Sequence, residues 1–162
     1  SSIGVSIVEN DTQQIEEGIR EAKKYGQFMI EEFIEGKEIT VAMVGEDIFP
    51  AVEIIPDDGF YDFNSKYNSK NTSYDKAIFE PSREKELIEY SKTINKDFGC
   101  TGWSRIDLID DGKGFYFLEL NTVPGMTDSS LVPKAASFAG VEFNQLVMKI
   151  VQSSLDKKDI KM

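Results

Sequence analysis

Histidine is absent from this 162-residue sequence, and cysteine occurs once, at Cys100. Without an imidazole there is no Ser-His-Asp triad, no zinc centre built on histidine and no histidine acid or base. A lone thiol cannot close an internal disulfide, which fits a reducing cytosol. No apolar run is long enough to span a bilayer, and no signal peptide is visible. Positive charge is scarce: 18 Lys and Arg stand against 29 Asp and Glu, and the net charge of -11 argues against a nucleic-acid surface. An acidic chain that handles a polyphosphate does so through magnesium and a few placed cations. A P-loop signature of the GxxxxGK[ST] kind is missing, as are internal repeats and heptad runs.

What is present suffices for a core: 40% of residues are apolar, eleven of them Phe, in a length that suits one domain or two small subdomains. The chemistry concentrates in Gly102 to Ile109 (GWSRIDLI) and Phe115 to Thr127 (FYFLELNTVPGMT), joined by the turn-rich DDGKG. Arg105 and Asp107 are two residues apart on the first predicted strand, Glu119 and Asn121 on the second, so each pair shares a face. A hairpin closing near Gly112, with partner numbers summing to about 224, sets Arg105 opposite Glu119 and gathers all four side chains on one face. Ile106, Leu108, Leu118 and Leu120 then rest on the core. Two carboxylates and an amide oxygen suit a hard cation such as magnesium, and an arginine beside them suits a developing oxyanion. The alternative is a solvated face on which Arg105 makes an ordinary ion pair with Glu119. Pro124 and Gly125 end the second strand, and the hydroxyl-rich MTDSS leads into a helical LVPKAASFAG.

Elsewhere, SSIGVSIVEN opens with a small-residue loop that either cradles an anion or is plain turn chemistry. Asn10 and Gln13 resemble a capping pair for a helix that carries Ile15, Ile19 and Ala22 and stops at Gly26. Residues 28–33, 37–44 and 48–55 read as three successive strands, and Glu31, Glu32, Glu35 and Glu38 make an acidic cluster that is surface charge on the plainest account. The stretch 56–81 is rich in Gly, Pro, Asn and Asp, with Tyr61, Lys66, Tyr67 and Tyr74, and reads as a functional lid loop or a disordered connector. Amphipathic helices are predicted over Ser82 to Phe98, with Leu87, Ile88, Ser91, Ile94 and Phe98 in one stripe, and near Phe143 to Leu155, with Leu146, Val147, Ile150 and Val151. Hairpins outnumber strand-helix-strand units, which predicts an α+β class with antiparallel sheets.

FLELNTVPGMTDSSLVPKAA, preceded by GWSRID, resembles the metal and acceptor motif of D-alanine:D-alanine ligases of the ATP-grasp superfamily. MIEEFIEGKEITVA adds to the resemblance, which runs from SSIGVS to near Ser154. It implies an ATP-grasp fold in which sheets and packed helices sandwich a nucleotide, and ATP-dependent joining of two D-alanines through an acyl phosphate. By position, it implies that Glu31 accepts from the adenine amino group, Ile34 offers backbone contacts to the ring, Glu38 binds ribose hydroxyls and Lys66 binds phosphate. Asp107, Glu119 and Asn121 correspond to ligands of two magnesium ions, for which manganese can substitute. Arg105 and the N–H of Gly125 correspond to oxyanion donors, and Ser130 and Leu131 to the binders of the acceptor carboxylate. Tyr67 falls on the tyrosine that bonds to the serine matched by Ser1, a pairing associated with D-alanine as acceptor.

The chain has no initiator Met, opens inside a motif and lacks the family's N-terminal domains, so residues 1–162 read as the C-terminal ATP-grasp region of a longer ligase, inactive when isolated. The resemblance further implies a cytoplasmic enzyme, homodimeric at full length, acting on D-alanine and ATP with no nucleic acid and no membrane. Rival readings are another ATP-grasp carboxylate-amine ligase, including the D-lactate-using kind, and a nucleotide-binding module without activity.

Overall fold

Six consecutive residues, Ile39 to Val44, are buried, a pattern that requires cover on both faces of the strand they form. The computed structural model describes residues 4–56 and 72–155. The chain divides into two units, one of residues 1–35 with 56–72 and the other of residues 36–55 with 73–162.

In the smaller unit, helix α1 (Thr12–Lys23) is capped by Asp11, whose side chain accepts from the N–H of Gln14 at 2.9 Å. The Gln14 side chain accepts in turn from the N–H of Glu9 at 3.1 Å, so the cap lies one residue beyond the predicted Asn10 and Gln13. Residues 28–35 have no regular structure, contrary to the strand expected over 28–33. No described strand pairs with them, and Met29, Ile30 and Phe33 are exposed; apolar content alone does not make a strand without a ladder partner.

In the larger unit, β1 (Lys37–Val44), β2 (Asp47–Ile48), β3 (Val52–Ile55), β4 (Ser73–Lys76), β5 (Trp103–Asp110) and β6 (Phe115–Asn121) form one sheet in the order β4-β3-β1-β5-β6, with β2 paired to β1. All pairings are antiparallel. The strand expected over 48–55 is divided between β2 and β3. Ser73 to Lys76, inside the stretch predicted as a lid, is the edge strand β4; its SYDK sequence carries no apolar alternation, and pairing to β3 supplies what propensity does not.

Helix α2 (Pro81–Asp97) starts with Pro at its first turn and is followed by Gly99 at φ 63°, the left-handed stop that glycine favours. It buries Leu87 and Ile94 against Ile39, Val41, Met43, Ile106 and Leu108 on one sheet face. Phe98, expected in the same stripe, is exposed. The other face carries Thr40, Ala42 and Val44 of β1 with Val52 and Ile54 of β3, all buried. Helices α3 (Leu131–Phe138) and α4 (Phe143–Leu155) cover it, burying Leu131, Val132, Ala135, Ala136 and Leu146. Of the apolar stripe predicted on α4, Val147 and Val151 remain exposed.

The β5–β6 hairpin is held from α2 by Arg83, which pairs with Asp110, donates to the carbonyls of Lys113 and Gly114 at 3.2 Å and lies 4.3 Å from the Phe115 ring centre. At the turn, Asp111 accepts from the N–H groups of Gly114 and Lys113, each at 2.7 Å, and from the Tyr116 hydroxyl at 3.1 Å. The register differs from the expected one. A β-bulge follows Asp107, so Asp107 faces Glu119 while Leu108 faces Phe117, and Leu118 is left unpaired and 51% exposed. Phe115, Phe117 and Leu120, rather than Leu118 and Leu120, point to the core.

Two outcomes follow from these contacts. The Ser91 hydroxyl, 0% exposed on α2, has no hydrogen-bond partner among the described residues, so Ser91→Ala is expected to raise the unfolding free energy by about 1 kcal/mol in urea titrations; a loss of that size would show that the hydroxyl is satisfied. The amides of Gly114 and then Lys113 hold the Asp111 carboxyl below its ordinary pKa. A depressed folded-state pKa stabilises fully above the unfolded value and loses its effect as pH falls through the folded one. Asp111→Asn is therefore expected to be less stable than the parent at about pH 6, with the gap closing towards about pH 3, as urea midpoints across that range will show.

Candidate active site

Strand pairing decides which side chains meet. On the face covered by α3 and α4, Asp107 of β5 lies between Thr40 of β1 and Glu119 of β6, and Arg105 lies between Ala42 and Asn121. The four residues read from sequence as a cluster, Arg105, Asp107, Glu119 and Asn121, therefore do converge. Their partners are not those expected: Arg105 stands opposite Asn121 and binds Asp107 on its own strand, and Glu119 Oε1 is 4.0 Å from the guanidinium. Glu38 is on the same face, two residues from Thr40, paired with Ile109 on one side and Ile54 on the other.

Asp107 is 6% exposed and receives a donor from every direction. Arg105 grips it with both arms of the fork, Nε to Oδ1 at 2.9 Å and Nη2 to Oδ2 at 2.7 Å. Thr40 Oγ1 donates to Oδ1 at 2.6 Å and Asn121 Nδ2 to Oδ2 at 3.1 Å. The same Asn121 nitrogen donates to Glu119 Oε1 at 3.2 Å, so two carboxylates meet around one amide. Half a turn of that amide replaces the donor by an oxygen, which leaves two carboxylates and an amide oxygen about one point. This all-oxygen set suits magnesium that shares its coordination with phosphate oxygens and water, and the residues fit that role. Thr40 was not singled out in the sequence; the only signal was a hydroxyl within an otherwise apolar buried strand.

Beyond β6 the chain turns at a buried Pro124 into a hydroxyl-rich loop. Ser130 Oγ accepts from the N–H of Thr127 at 3.0 Å and lies 2.8 Å from its hydroxyl. A Cβ on Gly125 would come within 2.9 Å of Ser130 Oγ, so a side chain there would displace this arrangement. With its hydroxyl turned back to the loop, Ser130 is the N-cap of α3 without a side-chain capping bond, and the first-turn N–H groups, beginning at Leu131, are of the kind a helix end leaves without an intrahelical acceptor. Glu31 is exposed and Ile34 half-buried in the smaller unit. Ser1, Lys66 and Tyr67 lie outside the described residues.

A family model described as D-ala D-ala ligase C-terminus matches residues 1–152. The chain belongs to this family. The D-alanine–D-alanine ligase of Haemophilus influenzae (strain PittEE) is 42% identical over 158 residues, covering 96% of this chain and 53% of that protein. A crystal structure of D-alanine–D-alanine ligase from Bacillus anthracis complexed with ATP superimposes with a TM-score of 0.77 at 25% identity, over 90% of this chain and 47% of that one. The D-Ala:D-Ser ligase VanG from Enterococcus faecalis gives 0.77 at 31% identity, over 94% and 46%. The chain spans about half the length of the curated relatives it matches. The α+β fold of this ligase-family chain, an antiparallel sheet with packed helices, is that of ATP-grasp enzymes.

Removing one partner of a nearly buried ion pair leaves the other charge uncompensated. Arg105→Leu in the metal-free protein is therefore expected to cost about 2 kcal/mol of stability in denaturant titrations, and much less when combined with Asp107→Asn. Equal losses in the two backgrounds would mean that the pair does not couple.

Proposed function

We propose that the protein is an ATP-dependent ligase that joins two D-alanines through an acyl phosphate to make D-alanyl-D-alanine for peptidoglycan, and that residues 1–162 are its C-terminal ATP-grasp region. The observation that carries this reading is the convergence of Arg105, Asp107, Glu119 and Asn121 on one sheet face. The 42% identity to a D-alanine–D-alanine ligase supports the choice of substrate.

In this reading Asp107, Glu119 and Asn121 hold two magnesium ions, or manganese in their place. When bound, the metal offsets repulsion between a carboxylate nucleophile and the γ-phosphate of ATP. Arg105 and the Gly125 N–H stabilise the oxyanion that develops when the acceptor amine attacks the acyl phosphate. For that, Arg105 would turn from Asp107, which it now grips, to the substrate. Ser130 and the N–H of Leu131 take the acceptor's carboxylate at the end of α3. Glu31 accepts from the adenine amino group, Ile34 meets the ring through its backbone, Glu38 binds the ribose hydroxyls and Lys66 the phosphates. Tyr67 with Ser1 favours D-alanine as acceptor. We place the reaction in the cytoplasm, where ATP is made and a free thiol such as Cys100 persists, and take the full-length enzyme to be a homodimer on the family resemblance.

The likeness to a D-Ala:D-Ser ligase supports a second reading in which the acceptor is not D-alanine. The test uses full-length protein with ATP, magnesium and each candidate acceptor, following phosphate release and identifying the product by mass spectrometry. D-alanine-dependent phosphate release with dipeptide as the main product is expected. Glu119→Gln is expected to lower kcat by about 10²-fold and to raise the magnesium requirement. Dipeptide formed equally fast by this variant, or phosphate release indifferent to any amino acid, would reject the assignment.

A further inference from the structure

We propose that Thr40 is a positioning residue that fixes Asp107 so that Oδ2, and not Oδ1, is the oxygen offered to a divalent cation. The inference rests on the cation-site reading of Asp107 given above. Thr40 is 1% exposed on the central strand, directly opposite Asp107. Its hydroxyl lies 3.2 Å from the Ile106 carbonyl and 2.6 Å from Asp107 Oδ1; it has one proton to give, and the shorter contact to a charged acceptor takes it.

The two carboxylate oxygens are held differently. Oδ1 is met by Thr40, whose backbone is paired on both sides, to β3 and to β5, and whose branched side chain has restricted χ1 freedom. Arg105 Nε meets the same oxygen at 2.9 Å. The donors to Oδ2 are Arg105 Nη2 and Asn121 Nδ2, both on side chains that can turn away, and Asn121 presents an oxygen when its amide rotates. A cation can replace both donors at Oδ2, while Oδ1 keeps the Thr40 hydroxyl when Arg105 turns away, because the alternative acceptor, the Ile106 carbonyl, is farther off and uncharged. Thr40 also occupies a place where valine would be cheaper, because a buried hydroxyl costs free energy unless it is bonded. The Asp107 carboxylate is the partner that offsets that cost. Ligating carboxylates are commonly oriented by such neighbours, whose loss lowers metal affinity by about 10- to 100-fold.

The experiment titrates Mn2+ into the full-length protein with ADP present, by electron paramagnetic resonance, for the parent, Thr40→Val, Thr40→Ser and Asp107→Asn, with thermal unfolding of each. Thr40→Val is expected to raise the Mn2+ Kd by about 10-fold or more, and Thr40→Ser to stay within about 3-fold of the parent. Turnover of Thr40→Val is expected to recover at high magnesium, a rescue that a general loss of structure would not allow. Parent-like Mn2+ binding by Thr40→Val, with binding lost in Asp107→Asn, would overturn the role of Thr40 and leave the cation site standing. Parent-like binding by Asp107→Asn would remove the site itself. Should Thr40→Val not fold, Thr40→Ser against Thr40→Ala decides: equal Mn2+ affinities sink the proposal, and a loss confined to alanine supports it.

Discussion

A carboxylate enclosed by a sheet, at 6% exposure, is tolerable only if donors surround it, and the arrangement about Asp107 is the constraint to which the neighbouring side chains answer. Thr40 below, Arg105 along the strand and Asn121 across it each give Asp107 a hydrogen bond, and Asn121 gives another to Glu119. Such a network is held together by the burial of its centre, because each donor is worth more where the dielectric is low and each vacancy costs more. The cluster is thus kept satisfied by side chains, Arg105 and Asn121 among them, that can turn to other partners.

That economy explains why the site lies on this face. The opposite face is closed by α2 over an apolar cluster of Ile39, Val41, Met43, Ile106 and Leu108, which fixes the pairing of β1 to β5 without any help from charge. With that pairing set by hydrophobic burial, Thr40 and Asp107 have no choice but to be neighbours. On the near side α3 begins at the end of the loop that leaves β6, the strand that carries Glu119 and Asn121. Core and site are built from alternate residues of the same strands.

The bulge after Asp107 shows how little of the register resided in the local pattern. Read as strict alternation, FYFLELN puts Leu118 and Leu120 together; the structure leaves Leu118 out and uses Phe115, Phe117 and Leu120. Two aromatic residues bury more area than one leucine, and the strand changes phase to accommodate them and still bring Glu119 beside Asp107. The expected placement of Arg105 opposite Glu119 gave way to a register two residues away, of which the bulge supplies one and the turn the other, and Glu119 Oε1 still lies 4.0 Å from the guanidinium. The strand expected over residues 28–33 failed for a related reason: apolar residues suggest a strand, but a ladder partner makes one, and partners are remote in sequence.

The α+β class, the helices near 12–23, 81–97 and 143–155, the strand 37–44 and the hairpin around Gly112 were legible from periodicity and turn chemistry, since those signals act over a few residues. So was the sharing of one face by Arg105, Asp107, Glu119 and Asn121, because at these positions the register differs from the expected one by two residues, and a shift of two leaves each side chain on its face. Only the tertiary structure decided which of them bond to which, that β4 joins the sheet, and that Thr40 serves Asp107. These depend on pairing between segments tens of residues apart, where the choice is made by burial of the whole sheet rather than by any residue's own preference.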